Sequence, residues 1–191
     1  METVLLNAPD GISARLGSDA HAEDHDRKRQ LAREIVAARL HVREDDVRVE
    51  RESPAQFGYH TRLVARVAGA VVPLAITSAA AGSSTVVVVA DSVVPLGIDL
   101  RSARPAADEL EQMRQHSHLF PGVSRDALLT HWTRVQAVRH ADGRARIRPE
   151  EVMIDPALVR GWVPDRRVHY QLADLSHGSW TVTLAYGALP V

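Results

Sequence analysis

Pro95-Leu96-Gly97-Ile98-Asp99-Leu100 is the stretch on which the fold turns. With Val93 and Val94 before it, the run predicts a buried strand over 93–100 that closes by presenting one carboxylate, Asp99. Residues two apart on a strand share a face, so Arg101 points the same way as Asp99. Taken alone, these two form an exposed ion pair at a strand end, worth little to stability. Farther on comes Trp132-Thr133-Arg134-Val135-Gln136-Ala137. Leu128, Leu129, Trp132, Val135 and Val138 form a helical stripe around it, Ser124 supplies a cap with Asp126 in the first turn, and Asp142-Gly143 ends the helix. Gln136 and His140 lie four apart, so one ligand can meet both. Taken alone, this is an ordinary amphipathic helix with Trp132 in the core and Gln136 and His140 solvated.

Outward from these two segments, the chain alternates strands and helices. Residues 4–6 predict a short opening strand, and 7–24, rich in Gly, Ser, Pro and Asp, a loop. A helix is predicted over 26–40, with Asp26 as its cap. Val47, Val49 and Arg51 alternate as a strand does, and 53–59 reads as a turn region. The runs 63–67, 72–77 and 85–90 predict three further strands. Val86-Val87-Val88-Val89 is apolar on both faces and predicts a central strand. Pro105 suits a first helical position, with a helix over 106–115. Pro121-Gly122 breaks the chain. Strands are predicted over 152–154, 167–172 and 180–186. The fold class expected is therefore α+β, with a boundary near Ser92; no residue-level repeat relates the halves, but the pattern permits two similar lobes, 1–92 and 93–191.

The chain has 191 residues, 45% of them hydrophobic, enough for one large domain or two packed lobes. Its net charge of −1 gives no electrostatic footprint for nucleic acid or a membrane surface. No apolar run is long enough to span a bilayer. Cysteine is absent, which removes disulfides, thiolate chemistry and Cys-based zinc sites together. Met1-Glu2-Thr3 lacks a basic n-region, so a cytoplasmic protein is expected. Among ten histidines, His21 with His25 and His116 with His118 are spaced for a metal, but neither pair has a third ligand nearby, and scattered surface histidine accounts for them. No Gly-rich phosphate loop and no nucleophile elbow is present.

Gly97-Ile98-Asp99 and the Trp132-Thr133 helix, taken in order, resemble the two signature segments of the 4'-phosphopantetheinyl transferase superfamily. That family moves the phosphopantetheine arm of coenzyme A onto a serine of a carrier protein, in a cleft between two similar lobes. Its strand reads Gly-[Ile/Val]-Asp-x-Glu, and its helix Trp-[Ser/Thr]-x-Lys-Glu-[Ala/Ser]-x-x-Lys. Here Trp132, Thr133 and Ala137 match, and Ala141-Asp142-Gly143-Arg144 is similar to the Ala-x-Gly-x-Gly that follows the helix. The departures are Arg101 at the second acid, Val135 at the first Lys, Gln136 at the Glu and His140 at the last Lys. Phe57-Gly58-Tyr59-His60-Thr61-Arg62 resembles the family's Cys-Gly-x-x-His-Gly-[Lys/Arg]-Pro segment, with Arg62 at the basic position that meets the nucleotide. Pro73-Leu74-Ala75-Ile76-Thr77-Ser78-Ala79 stands where the family strand ends Ser-His-Ser, and Thr77 and Ser78 keep the hydroxyl character that holds phosphate oxygens. Arg27, Lys28, Arg29 and Arg33 fall where the family carries an Arg-rich helix facing the nucleotide.

The resemblance thus implies a metal ligand at Asp99, catalytic positions at Gln136 and His140, and coenzyme A contacts at Arg62, Thr77, Ser78, Arg101 and Lys28. Magnesium prefers hard, charged oxygens in near-octahedral geometry. The three positions that resemble the family's carboxylates sum here to no net charge, so magnesium affinity falls. A neutral amide at Gln136 cannot serve as a general base. His140 can partly replace the lost lysine near neutral pH. The guanidinium of Arg101 can bind a diphosphate through paired hydrogen bonds in the metal's stead. Three functions follow from the resemblance: a phosphopantetheinyl transferase acting on an acyl, peptidyl or aryl carrier protein; an inactive homologue that binds coenzyme A or a carrier protein; and a repurposed enzyme on the same scaffold.

Overall fold

The computed structural model describes residues 1–54, 56–116, 124–166 and 168–190. The Pro121-Gly122 break, His118 and the first residue of the strand expected from 167 lie outside them. Among the described residues the architecture is mixed α+β, with two antiparallel sheets and three α-helices.

The first sheet is built from β1 (Glu2–Leu6), β2 (Ser13–Ser18), β3 (Val47–Arg51), β4 (Leu63–Val67), β5 (Ala70–Val71), β6 (Leu74–Ala81) and β7 (Ser84–Asp91). Its order is β1-β2-β7-β6-β4-β3, with β5 paired to β4. The second sheet holds β8 (Leu96–Ser102), β9 (Met153–Ile154), β10 (Arg160–Trp162), β11 (Val168–Asp174) and β12 (Trp180–Pro190), in the order β8-β12-β11-β10-β9. Helix α1 (Asp24–Leu40) covers the first sheet; α3 (Arg125–Asp142), with α2 (Ala107–Gln115) beside it, covers the second. Among the described residues no helix is long and apolar enough to cross a membrane.

Period-two alternation arranges the layers. On β7, Val86 and Val88 join Leu16, Ile98, Leu100, Val182 and Leu184 in a core between the two sheets. Val87 and Val89 face the other way, into a second core with Leu31, Ile35 and Val36 of α1. The valine run is therefore buried on both faces, as its composition predicts. Polar contacts flank it at one end: Ser18 and Ser84 hydroxyls meet at 2.6 Å, and the buried Arg27 donates from Nε to the Thr85 hydroxyl at 3.0 Å. On β8, Leu96, Ile98 and Leu100 turn to the sheet interface, which leaves Gly97, Asp99 and Arg101 facing α3. A Cβ built on Gly97 would lie 2.0 Å from the Ala137 carbonyl oxygen and 2.2 Å from the Ala141 nitrogen. Strand and helix backbones thus meet at Gly97.

Several expectations are corrected. The loop over 7–24 contains β2, which pairs with β1 and β7. Helix α1 begins at Asp24 rather than after Asp26, and Glu23 takes the cap position with no side-chain cap bond. Pro105 precedes α2, whose N-cap is Ala106. Ser124 does cap α3, accepting from the Ala127 N–H at 3.1 Å.

Candidate functional site

Two neighbouring regions hold the candidate residues. The first lies under α3 at the end of β8. Asp99 is only 4% exposed, so it is not the solvated ion pair that a strand end suggests. Arg101 donates from Nε to Asp99 Oδ2 at 3.0 Å and from Nη2 to Oδ1 at 3.4 Å, and its Nη1 donates to Glu109 Oε1 at 2.8 Å. Glu109, in the first turn of α2, was not singled out by sequence; its one legible sign is an acid eight residues past Arg101. Burial pushes the Asp99 carboxyl above the usual carboxylate range, against the pull of the Arg101 guanidinium. Burial works against the Arg101 charge, but the pairs with Asp99 and Glu109 together outweigh it and raise the Arg101 pKa.

Along α3, Gln136 is buried rather than solvated, and its Oε1 accepts from Arg139 Nη1 at 2.7 Å. Arg139 Nε in turn donates to the Ile147 carbonyl at 2.7 Å. Trp132 lies in the core, as expected. His140 Nδ1 donates to the Ile98 carbonyl at 2.6 Å, one residue before Asp99. In the neutral ring this bond places the proton on Nδ1 and the lone pair on Nε2.

The second region is a cavity of ≈ 680 Å³. Its walls include Lys28, Arg62, Thr77, Ser78 and His140, five of the eight residues singled out from the sequence. They come from α1, the 57–62 segment, β6 and the end of α3, so the fold gathers segments far apart in the chain. Asp99, Arg101 and Gln136 are not among its described walls. Lys28 Nζ pairs with Asp24 at 2.6 Å, one turn back on α1.

The 57–62 segment is tied across to the second half of the chain. His60 N–H donates to the Gly143 carbonyl, and Ala145 N–H to the Gly58 carbonyl, both at 2.9 Å. Arg166 Nη2 donates to the Tyr59 hydroxyl at 3.0 Å. Beneath this seam Asp142, buried, receives Arg144 Nε at 2.6 Å and Nη2 at 3.0 Å, with Arg166 Nε at 3.4 Å. Tyr59, His60 and Arg166 line the cavity too, and sequence reasoning gave none of them a role. His60 stood inside a quoted segment; Arg166 carries no sequence signal at all. Burial lowers the His60 pKa, helped by the charges of His140 and Arg139. The two imidazoles meet edge-on at 6.1 Å.

Tyr170, also on the cavity wall and 3% exposed, has its pKa pushed up to about 12 by burial and by the Asp142 carboxylate. Folding therefore holds the phenol proton more tightly than the unfolded chain does. The stabilisation is fully present below the ordinary value of 10.0 and is lost as pH rises toward 12. In urea denaturation the midpoint is expected to fall across that window, and Tyr170→Phe to fall less steeply. Equal slopes for the two proteins would contradict this.

Among the described residues no group of three or more His, Asp or Glu side chains is placed to hold a metal ion. No protein-family model matches the chain, and no curated protein is significantly similar to it.

Proposed function

We propose that the chain is a phosphopantetheinyl transferase-superfamily protein that binds coenzyme A in the ≈ 680 Å³ cavity. The observation that carries this reading is the meeting of Lys28, Arg62, Thr77, Ser78 and His140 around one space. They come from four separate segments, each matched to the family by its order along the chain. Two cations, two hydroxyls and an imidazole suit a phosphorylated nucleotide, because charge-assisted hydrogen bonds to phosphate are the strongest available. A helix packed on an antiparallel sheet in each half of the chain also supports the superfamily architecture. With Gln136 a neutral amide engaged by Arg139, the position that resembles the family's glutamate has no proton-accepting group. Binding without transfer is the function this arrangement favours.

Titration calorimetry with coenzyme A tests the reading. Arg62→Ala and Lys28→Ala are each expected to weaken binding about tenfold, the scale of one lost charged hydrogen bond. No heat of binding, or affinity untouched by both substitutions, would remove it.

His140 supports a second reading, in which transfer survives. Its Nδ1 is held by Ile98, so Nε2 can accept a proton at the cavity wall. There the carrier serine oxygen would attack the phosphorus of the phosphopantetheine arm, Nε2 taking its proton. The bond from that phosphorus to the bridging oxygen would break, and the nucleotide would leave with the electron pair. A carrier protein heavier by one phosphopantetheine, weighed after incubation with coenzyme A, would establish transfer; an unchanged mass with coenzyme A bound establishes binding alone.

A further inference from the structure

The superfamily reading calls for magnesium beside Asp99, and the residues there do not fit it. Magnesium needs several hard anionic oxygens in near-octahedral array. Both Asp99 oxygens are within reach of Arg101 donors, and Glu109 Oε1 receives another. The Gln136 amide oxygen, the third candidate, is held by Arg139. Arg101 therefore sits between two carboxylates as a counter-ion, where a metal would otherwise lie. Its Nε, Nη1 and Nη2 all donate to carboxylates, so it is not directed at a ligand diphosphate as the sequence leads one to expect. Cations that do line the cavity, Lys28, Arg62 and Arg166, come from elsewhere in the fold.

We infer that Arg101 is a resident cation that takes the metal's place between Asp99 and Glu109, so that this protein holds its phosphorylated ligand without a divalent ion. The inference rests on the superfamily reading for the identity of the ligand, coenzyme A, but not for the ion pair itself. A fixed guanidinium neutralises the carboxylates at every metal concentration, whereas a bound metal does so only above its dissociation constant. Removing Arg101 takes one positive charge from beside two acids, which disfavours phosphate nearby and lets a divalent cation take the vacated place.

The test uses manganese as the probe, followed by electron paramagnetic resonance, on the full chain. Wild type is expected to take up no manganese, Arg101→Ala to take up one ion, and Arg101→Ala with Asp99→Asn to lose it. Coenzyme A is expected to bind wild type equally in EDTA and in magnesium. To Arg101→Ala it should bind about tenfold more weakly in EDTA, with magnesium restoring the loss. The inference is overturned if wild type binds manganese at a site that Asp99→Asn abolishes, if its binding of coenzyme A needs magnesium, or if folded Arg101→Ala takes up no manganese. Should Arg101→Ala not fold, the wild-type manganese titration with its Asp99→Asn control still decides. Absence of coenzyme A binding in every buffer counts against the proposed function alone, and the manganese arms stand apart from it.

Discussion

Gly97→Ala is expected to destabilise the protein by about 3 kcal/mol, the upper end of what overpacking costs. The added methyl would stand 2.0 Å from the Ala137 carbonyl oxygen, 2.2 Å from the Ala141 nitrogen and 2.8 Å from the His140 carbonyl carbon. All three are backbone atoms of α3, so no side-chain rotation relieves the contact. The helix itself must retreat from β8. That movement pulls on the His140–Ile98 hydrogen bond and opens the cover over Asp99. Gly161→Ala is the informative comparison. Its methyl would meet Val138 Cγ2 at 2.5 Å and Ile154 Cδ1 at 2.8 Å, side-chain atoms rather than the helix backbone. About 1 kcal/mol is expected there. Urea unfolding of the three proteins measures both values. If the two variants lose the same stability, strand and helix are not held backbone to backbone at Gly97.

Asp142→Ala is expected to cost about 3 kcal/mol, the lower end of the range for breaking a buried ion pair. The lower end applies because the stranded Arg144 and Arg166 side chains are 26% and 37% exposed and can turn toward water. Asp165 also pairs with Arg144, at 2.8 Å from Nη2, but its side chain is 60% exposed. Asp165→Ala should therefore cost under about 1 kcal/mol. The damage in Asp142→Ala should also be local, because Arg166 reaches Tyr59 and Arg144 lies opposite Tyr59 across the seam. Amide hydrogen exchange at His60, whose N–H bonds Gly143, is expected to accelerate more than exchange in β7. If Asp165→Ala proves as damaging as Asp142→Ala, burial of the carboxylate is not the source of the effect.

What the sequence disclosed follows from how far each signal acts. Strand β8 and helix α3 were legible because alternation and the helical stripe are written within single segments. Strand β2 was not: Ser13-Ala14-Arg15-Leu16-Gly17-Ser18 has two inward apolar residues and turn-forming neighbours. It is a strand because β7 needs a partner on that side, a tertiary demand that no local pattern records. Strand β10, three residues long, arises the same way, between β9 and β11. In the site, the alternation that set Asp99 and Arg101 on one face was correct, but their cover was not visible. Helix α3 and Glu109 come from later segments. The Gln136–Arg139 contact was within reach, since residues three apart on a helix are neighbours. Arg166 was not, because it meets Tyr59 from 107 positions away.

The four consecutive valines of β7 have a consequence for alignment. A strand with one polar face is corrected by its own side chains, since a shift of one position would drown charges in oil. Val86 to Val89 lack that safeguard: moved by one, they present the same hydrocarbon to either neighbour. The correct setting must be read at the margin, where the Ser18–Ser84 hydroxyl pair and the Arg27–Thr85 clasp exist in one alignment only. Those few polar atoms serve as the index mark for a strand that would otherwise slide.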